Sequence, residues 1–435
     1  MAPAKMMPYR PLAGVRILSL EVAASLPAGT RTLADLGADV LRVAEPPGKV
    51  NPYTRIFDSS LINKRSVVLN LREDGPRNLA KRLALVADVV CSNFRPHVMK
   101  QFGLSAEELL EIRPELIVLQ LTGYGGPGPW SSFPAYGPSV EAAGGMNALM
   151  GGHFDLPQRV GGGVFADTLA GRYAALAICG ALARRQDNGR GGYIDLSMYE
   201  CIVTGLGDEV LKTQRTESAP KRIGNRSEHF APQGVYRCAG EDQWLALSVT
   251  SNREWTNFAG LLEEPILKSR ELKAVAGRFK QHDLIDACIS AWSACRTKEE
   301  AAEALQAVGV PAGPVNRPRD LPLDPQYAAR GFFQMVRHEQ PILGFSAHPH
   351  MRVPHKFVGH PDTSLSKHEP EGFRAEEALT DWLDLSAPEV LEMRANHEFG
   401  EPRALLPDGT ESPGWFGSRH STQDVNLGER LGLPR

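Results

Sequence analysis

The feature that most constrains this chain is a regular alternation through roughly its first 210 residues, in which short β-branched runs alternate with helical stretches of about ten residues. Residues 15–20, 39–43, 66–71, 88–92 and 116–121 read as strands, most of them apolar enough to be buried on both faces. Helical patterns fall around 28–36 and 76–86, and the capping box Ser105-Ala-Glu-Glu108 opens a further short helix. Strands separated by single helices return parallel to one another, so the pattern predicts an α/β fold with a Rossmann-like, doubly wound sheet.

Beyond about residue 225 the texture changes. Residues 234–238 and 243–249 flank the turn 239–242 as a hairpin, and helices follow around 253–262, 284–294 and 297–308, the last opened by a T-x-x-E box at Thr297. This predicts a smaller α+β domain over 225–330, with 1–224 as the first part of the large domain. Residues 331–435 then form a C-terminal segment that returns to the large domain and ends in a polar tail from about Glu401. Five prolines within 311–325 read as an extended connector. Two helices are expected at 376–383 and 388–396, the second behind the box Ser386 to Glu389.

Charge and cysteine content narrow the class of function. With 48 Lys and Arg against 51 Asp and Glu, the formal net charge is −3, which argues against a general binder of nucleic acid or membrane surfaces. The six cysteines form no C-x-x-C pair and no Cys/His set at zinc spacing, so neither a metal nor a disulfide framework is expected. No apolar leader and no run of about 18 apolar residues is visible, and a cytoplasmic location is the expectation.

Several motifs carry chemistry. Gly123-Tyr-Gly-Gly-Pro-Gly128 matches G-x-G-x-x-G after a strand, but the prolines in and after it and the lack of a following helix argue against a dinucleotide site. Asp167, in Gly161-Gly-Gly-Val-Phe-Ala-Asp167-Thr-Leu-Ala-Gly171, reads as an N-cap of the helix that runs through Arg185. That reading is compatible with an ionised carboxylate held at a helix N-terminus, a possible nucleophile. Leu169, Tyr173, Leu176 and Gly180 recur on one face of that helix. The pair in Asn63-Lys64-Arg65-Ser66 reads as solvated surface charge. Asn93-Phe94-Arg95-Pro96 follows the C-terminal end of a strand, where an arginine and a stacking ring would suit a nucleotide phosphate and base. His153 reads as structural, and Glu141 as a surface or cap residue.

In order and spacing these segments resemble the family III CoA transferases, which include formyl-CoA, carnitine and bile-acid CoA transferases. The likeness runs from Pro11-Leu-Ala-Gly14 through Asn63-Lys64-Arg65-Ser66, Asn93-Phe94, Gly123 to Pro129, Ala135-Tyr136 and Ala166-Asp167. It continues through Gly224-Asn225 and Gly309 to Val315, reaching about residue 400. It implies that Asp167 attacks the thioester of an acyl-CoA and passes through a mixed anhydride and an aspartyl-CoA thioester before CoA moves to a carboxylic acid acceptor. It further implies CoA contacts at Leu69, Arg72, Asn93, Phe94 and Arg95, with Tyr136 near the thioester, and an interlocked homodimer. CoA would be a substrate, with no tightly bound cofactor. The chain departs from the family's pattern at Ala44, where an acid is usual and Glu45 stands next door. It departs again at Gln101, where formyl-CoA transferase has a base, and no glycine-rich lid follows Pro220.

Two other functions share this architecture. An α-methylacyl-CoA racemase-like isomerase needs a His about 30 residues before the aspartate, where this chain has Ala135-Tyr136-Gly137. A non-catalytic CoA-binding paralogue would have no need to keep Asp167. Neither the donor nor the acceptor acid is legible from the sequence.

Overall fold

A computed structural model describes residues 8–46, 60–152, 156–159, 164–216, 222–342, 345–366 and 371–400. The chain divides into two compact units, one of Met1–Asn147, Arg159–Leu211 and Pro322–Arg435, the other of Ala148–Gln158 and Lys212–Leu321.

The first unit is built on six parallel strands: β1 (Arg16–Leu20), β2 (Asp39–Ala44), β3 (Arg65–Val68), β4 (Val89–Ser92), β5 (Ile117–Thr122) and β6 (Gly192–Ser197). Their spatial order is β3-β2-β1-β4-β5-β6, every pair parallel. The chain first builds outward from β1 to β3 and then restarts on the other side at β4. The crevice beyond the C-terminal ends of β1 and β4 is therefore the switch point, where open parallel sheets bind ligands.

Both faces of the sheet are buried, as continuous apolar strands require. Leu18 and Leu20 of β1 enter one core with Leu79 and Leu83 of α2 (Asp74–Val86). Met99 of α3 (Pro96–Gln101) and Leu109 of α4 (Ala106–Ile112) join the same core. Ile17 enters the other, with Leu26 and Leu33 of α1 (Ser25–Asp35). The first core is completed from far along the chain by α11 (Ala375–Leu383) and α12 (Ala387–Ala395), through Leu379, Trp382 and Val390. Trp382 Nε1 donates to Asp39 Oδ2 at 2.8 Å, and Arg16 donates to the Asp381 carbonyl at 2.8 Å.

The parallel α/β sheet expected from the alternation is present. Its third strand is shorter than expected and stops at Val68, because the chain turns at once, with Glu73 N–H donating to the Asn70 carbonyl at 2.9 Å. Two features were not anticipated: the edge strand β6, and an antiparallel ribbon of β10 (Phe333–Ile342) and β11 (Phe345–Met351).

The second unit pairs β7 (Gln233–Arg237), β8 (Trp244–Ser248) and β9 (Ala312–Pro314) in an antiparallel sheet. Its core gathers Leu245, Leu247, Trp255, Phe258, Ile285 and Leu305, with α8 (Asn252–Leu262), α9 (His282–Ser293) and α10 (Lys298–Ala307). The Thr297 box caps α10 as its sequence predicts. The proline-rich segment corrects the expected connector, because its first residues form β9. Pro314 lies opposite Leu245 on this edge strand, where a missing N–H costs no ladder bond.

Candidate active site

The site is organised by α6 (Phe165–Asn188), a helix of 24 residues. Alanine runs through it, and Gly189 ends it in the left-handed conformation at φ 69°. The buried face is Ala166, Ala170, Gly171, Ala174, Ile178 and Leu182. This corrects the face expected from Leu169, Tyr173, Leu176 and Gly180, since Leu176 and Gly180 are exposed. The small residues win because α1 lies directly against the helix. A Cβ on Gly171 would sit 2.4 Å from the Ser25 carbonyl oxygen, and one on Gly29 would sit 2.5 Å from the Gly171 carbonyl oxygen. The glycine four residues after Asp167 is thus the point where two backbones touch.

Asp167 is not the N-cap. Val164 holds that position without a side-chain bond, and Asp167 is the third helical residue. The capping task falls to another helix. Glu141 of α5 (Gly137–Ala143) accepts the Ala166 N–H on Oε1 at 3.2 Å. Glu141, expected at the surface or as a local cap, is fully buried, and it supplies an acceptor that the helix terminus needs in place of water.

Asp167 itself is 8% exposed, and no cation pairs with it among the described residues. Burial and, to a lesser degree, the charge of Glu141 raise its pKa to about 6, against a hydrogen bond from its own backbone N–H that lowers it. At neutral pH the carboxylate is therefore largely ionised, poorly solvated and electrostatically uncompensated. His153 and the glycines 161–163 lie outside the described residues.

At the switch point, Asn93 ties the β4 end to the β1 end. Its Oδ1 accepts the Val22 N–H at 2.9 Å, and its Nδ2 donates to the Val22 carbonyl at 2.8 Å and to Ser25 Oγ at 3.2 Å. The Ser25 carbonyl is the one that meets Gly171, so Asn93 reaches the Asp167 helix through the first turn of α1. Beside it, Glu21 is buried in a full set of partners: Ser19 Oγ at 2.7 Å, Thr30 Oγ1 at 2.5 Å and Lys64 Nζ at 2.8 Å, with Arg42 Nε at 3.6 Å. Burial alone would raise its pKa, but the charges of Lys64 and Arg42 and the hydrogen bonds more than offset that and hold it below the ordinary value.

This corrects the reading of Lys64 and Arg65 as solvated. The Lys64 side chain is 2% exposed on Glu21, and Arg65 pairs with Asp39 at 2.5 Å and Asp381 at 2.6 Å. Nothing in the local pattern marks this, because the partners are 26 to 316 residues away.

The other expected CoA-contacting residues all lie along the C-terminal edge of the sheet. Leu69 is buried just after β3, and Arg72 is exposed in the turn that follows. Phe94 is partly buried and packs against the first core, and Arg95 is exposed at the N-cap of α3. Three strand spacings of about 4.8 Å separate the ends of β3 and β4, or roughly 14 Å. Tyr136 is exposed at the head of α5, the helix that supplies Glu141. Glu45 and Gln101 are both exposed.

The glycine loop is committed internally. Gly125 N–H donates to Thr122 Oγ1 at 3.0 Å and Gly126 N–H to Asp195 Oδ2 at 2.7 Å, so neither is aimed at a pyrophosphate. No cluster of metal-ligating side chains exists among the described residues, and no described helix is long and apolar enough to cross a membrane.

The profile of CoA-transferase family III matches residues 12–373. The chain belongs to that family. Among curated relatives of this family III chain, the acetyl-CoA:oxalate CoA-transferase of Acetobacter aceti is 33% identical, covering 75% of this chain and 86% of its own. The succinyl-CoA–D-citramalate CoA-transferase of Chloroflexus aurantiacus is 31% identical over 335 residues, 74% of this chain and 83% of that one. Among solved structures, a CAIB/BAIF family protein from Brucella suis superposes with a TM-score of 0.78 at 26% identity, covering 86% of this chain and all of that one. The family III chain is accordingly a CoA-transferase.

Proposed function

We propose that this transferase moves CoA from an acyl-CoA to a carboxylic acid, as the names of its relatives describe for theirs, with Asp167 as the covalent nucleophile. The observation that carries this is the state of Asp167: buried, without a cation partner among the described residues, and on a helix held by backbone contact to the switch-point crevice. A carboxylate stripped of water and counter-ion is a stronger nucleophile than one in solution.

The reaction runs in two symmetrical halves. A carboxylate oxygen of Asp167 attacks the thioester carbonyl, the C–S bond breaks, and CoA leaves as thiolate from a mixed anhydride. The thiolate attacks the Asp167 carbonyl of the anhydride, releasing the donor as its carboxylate and leaving an aspartyl-CoA thioester. The acceptor carboxylate attacks that thioester, and the thiolate then takes the acceptor's acyl group and frees Asp167. Overall one thioester replaces another of similar energy, while the anhydrides between them lie higher, so the protein's contribution is positioning and electrostatics, with no redox or metal chemistry in the scheme.

Leu69, Arg72, Asn93, Phe94 and Arg95 are proposed to receive CoA along the sheet edge, with Tyr136 next to the thioester. Asn93 would act mainly by shaping the crevice, since its amide is already bonded to the β1–α1 loop. The second unit is proposed to serve as the smaller domain of an interlocked homodimer.

The test is quenching with hydroxylamine during turnover on a panel of acyl-CoAs, followed by mass spectrometry. The expected label lies on Asp167, and Asp167→Ala should lower transfer on the order of 10⁴-fold or more while leaving CoA affinity within a few-fold. Turnover near wild type in that variant would sink the assignment.

A further inference from the structure

We propose that Glu141 is a second carboxylate of the active site: a positioning residue that fixes the first turn of α6 through Ala166 and holds a negative charge against Asp167, which acylation relieves. The inference rests on Asp167 being the nucleophile and adds how its reactivity is set.

The geometry is specific. Glu141 is fully buried, yet only Oε1 is used, on the N–H of the residue that precedes Asp167. Oε2 is buried as well, and no hydrogen-bond donor reaches it among the described residues. A purely structural cap would be served by an amide, which supplies the same acceptor without the cost of burying a charge.

The remaining charges on the packed elements do not neutralise the pair. On α1, Arg31 pairs with Asp35 at 2.7 Å. On α6, Arg172 donates to Thr32. On β6, Asp195 accepts from Gly126, and α7 (Met198–Thr204) carries only Glu200; β5 has no charged residue. Glu141 is the charge that adds to burial in keeping Asp167 hard to ionise.

The consequence for the reaction is directional. In the free enzyme two carboxylates share one poorly solvated site. When Asp167 attacks, its charge leaves on the CoA sulfur, and both the anhydride and the aspartyl thioester present Glu141 with a neutral neighbour. The repulsion thus raises the ground state without acting on the acylated forms, which favours acylation over the idle carboxylate.

The test separates this from the covalent assignment. Asp167 is titrated directly by carboxyl-carbon NMR of the ¹³C-aspartate-labelled protein, with Asp167→Asn as the blank that assigns the signal. Glu141→Gln keeps the acceptor for Ala166 and removes the charge, and should lower the midpoint by about one pH unit. Glu141→Asp keeps the charge, and its midpoint should stay near that of wild type even where its shorter reach slows acylation by acetyl-CoA or succinyl-CoA. A Gln variant that titrates with wild type overturns the proposal, as does an Asp variant whose midpoint falls as far as that of Gln. A lowered Gln midpoint supports it whether or not thioester labels Asp167, whereas the lack of label in wild type would overturn the covalent mechanism alone.

Discussion

Glu21 and Asp167 lie in the same unit, both buried, one at the end of β1 and the other in the first turn of α6, and their surroundings are opposites. Glu21 has two hydroxyls, an ammonium and a guanidinium around it. Asp167 has a second carboxylate nearby and, among the described residues, no cation paired with it. The first is held ionised and inert, a knot joining β1, β2 and the 63–66 turn. The second has only its own backbone N–H to favour its charge, against burial and the charge of Glu141. Burial alone therefore says little about a carboxylate's role, and the partners decide it.

Breaking the compensated side should give the largest effect on stability. Lys64→Ala leaves Glu21 buried with its nearest cation gone, at an expected cost of about 3–5 kcal/mol, read as a drop in the urea midpoint. An unchanged midpoint would mean that water or Arg42 replaces Lys64 fully, and that the two carboxylates differ less than their surroundings suggest.

The uncompensated side should respond with the opposite sign. Asp167 titrates near 6 when folded, against about 3.9 unfolded, so the native state binds more protons between those values. Native stability accordingly falls as pH rises through that window. Asp167→Asn should then be more stable than wild type above pH 6, by up to about 3 kcal/mol, and no different near pH 3. Thermal melts at the two pH values check this, and a variant equally stabilised at both would place the gain elsewhere.

The smallest effect probes how Asp167 is held. Gly171→Ala should cost about 1–3 kcal/mol through overpacking, since its methyl must displace the α1 backbone, and transfer should fall with it. Gly180→Ala, on the open face of the same helix with nothing within 4 Å, should gain up to about 1 kcal/mol. Differential scanning calorimetry of the pair measures the contrast.

The sheet was legible because its strands are apolar on both faces, as in the run 116–121. Where a strand is half exposed the signal vanished: β6, Gly-Tyr-Ile-Asp-Leu-Ser, lies at the sheet edge with Tyr193 and Asp195 outward, and β10 carries Arg337 and Pro341. Asp167 stood out from its neighbours Ala166 and Gly171, yet the same neighbours hid the packing. A periodicity of large apolar residues cannot find a face made of alanine and glycine, which buries well only because a second backbone comes close. Glu141 and Lys64 were misread for one reason. Each sits beside residues that give no local clue, and its partner is brought in by the fold from 25 and 43 residues away.

The length of α6 bears on how Asp167 is aimed. At its other end Arg185 grips Asp88 at 2.8 Å, ahead of β4, and Gly189 stops the helix. Eighteen residues at 1.5 Å each place that grip about 27 Å from the carboxylate. Pivoting there by about 2° would swing the carboxylate by about 1 Å, a misplacement able to slow chemistry on the order of 100-fold. On the proposed mechanism the attacking oxygen is thus sighted along a rod whose rear support stands at the N-terminal ends of the strands, and Arg185 becomes part of its aim.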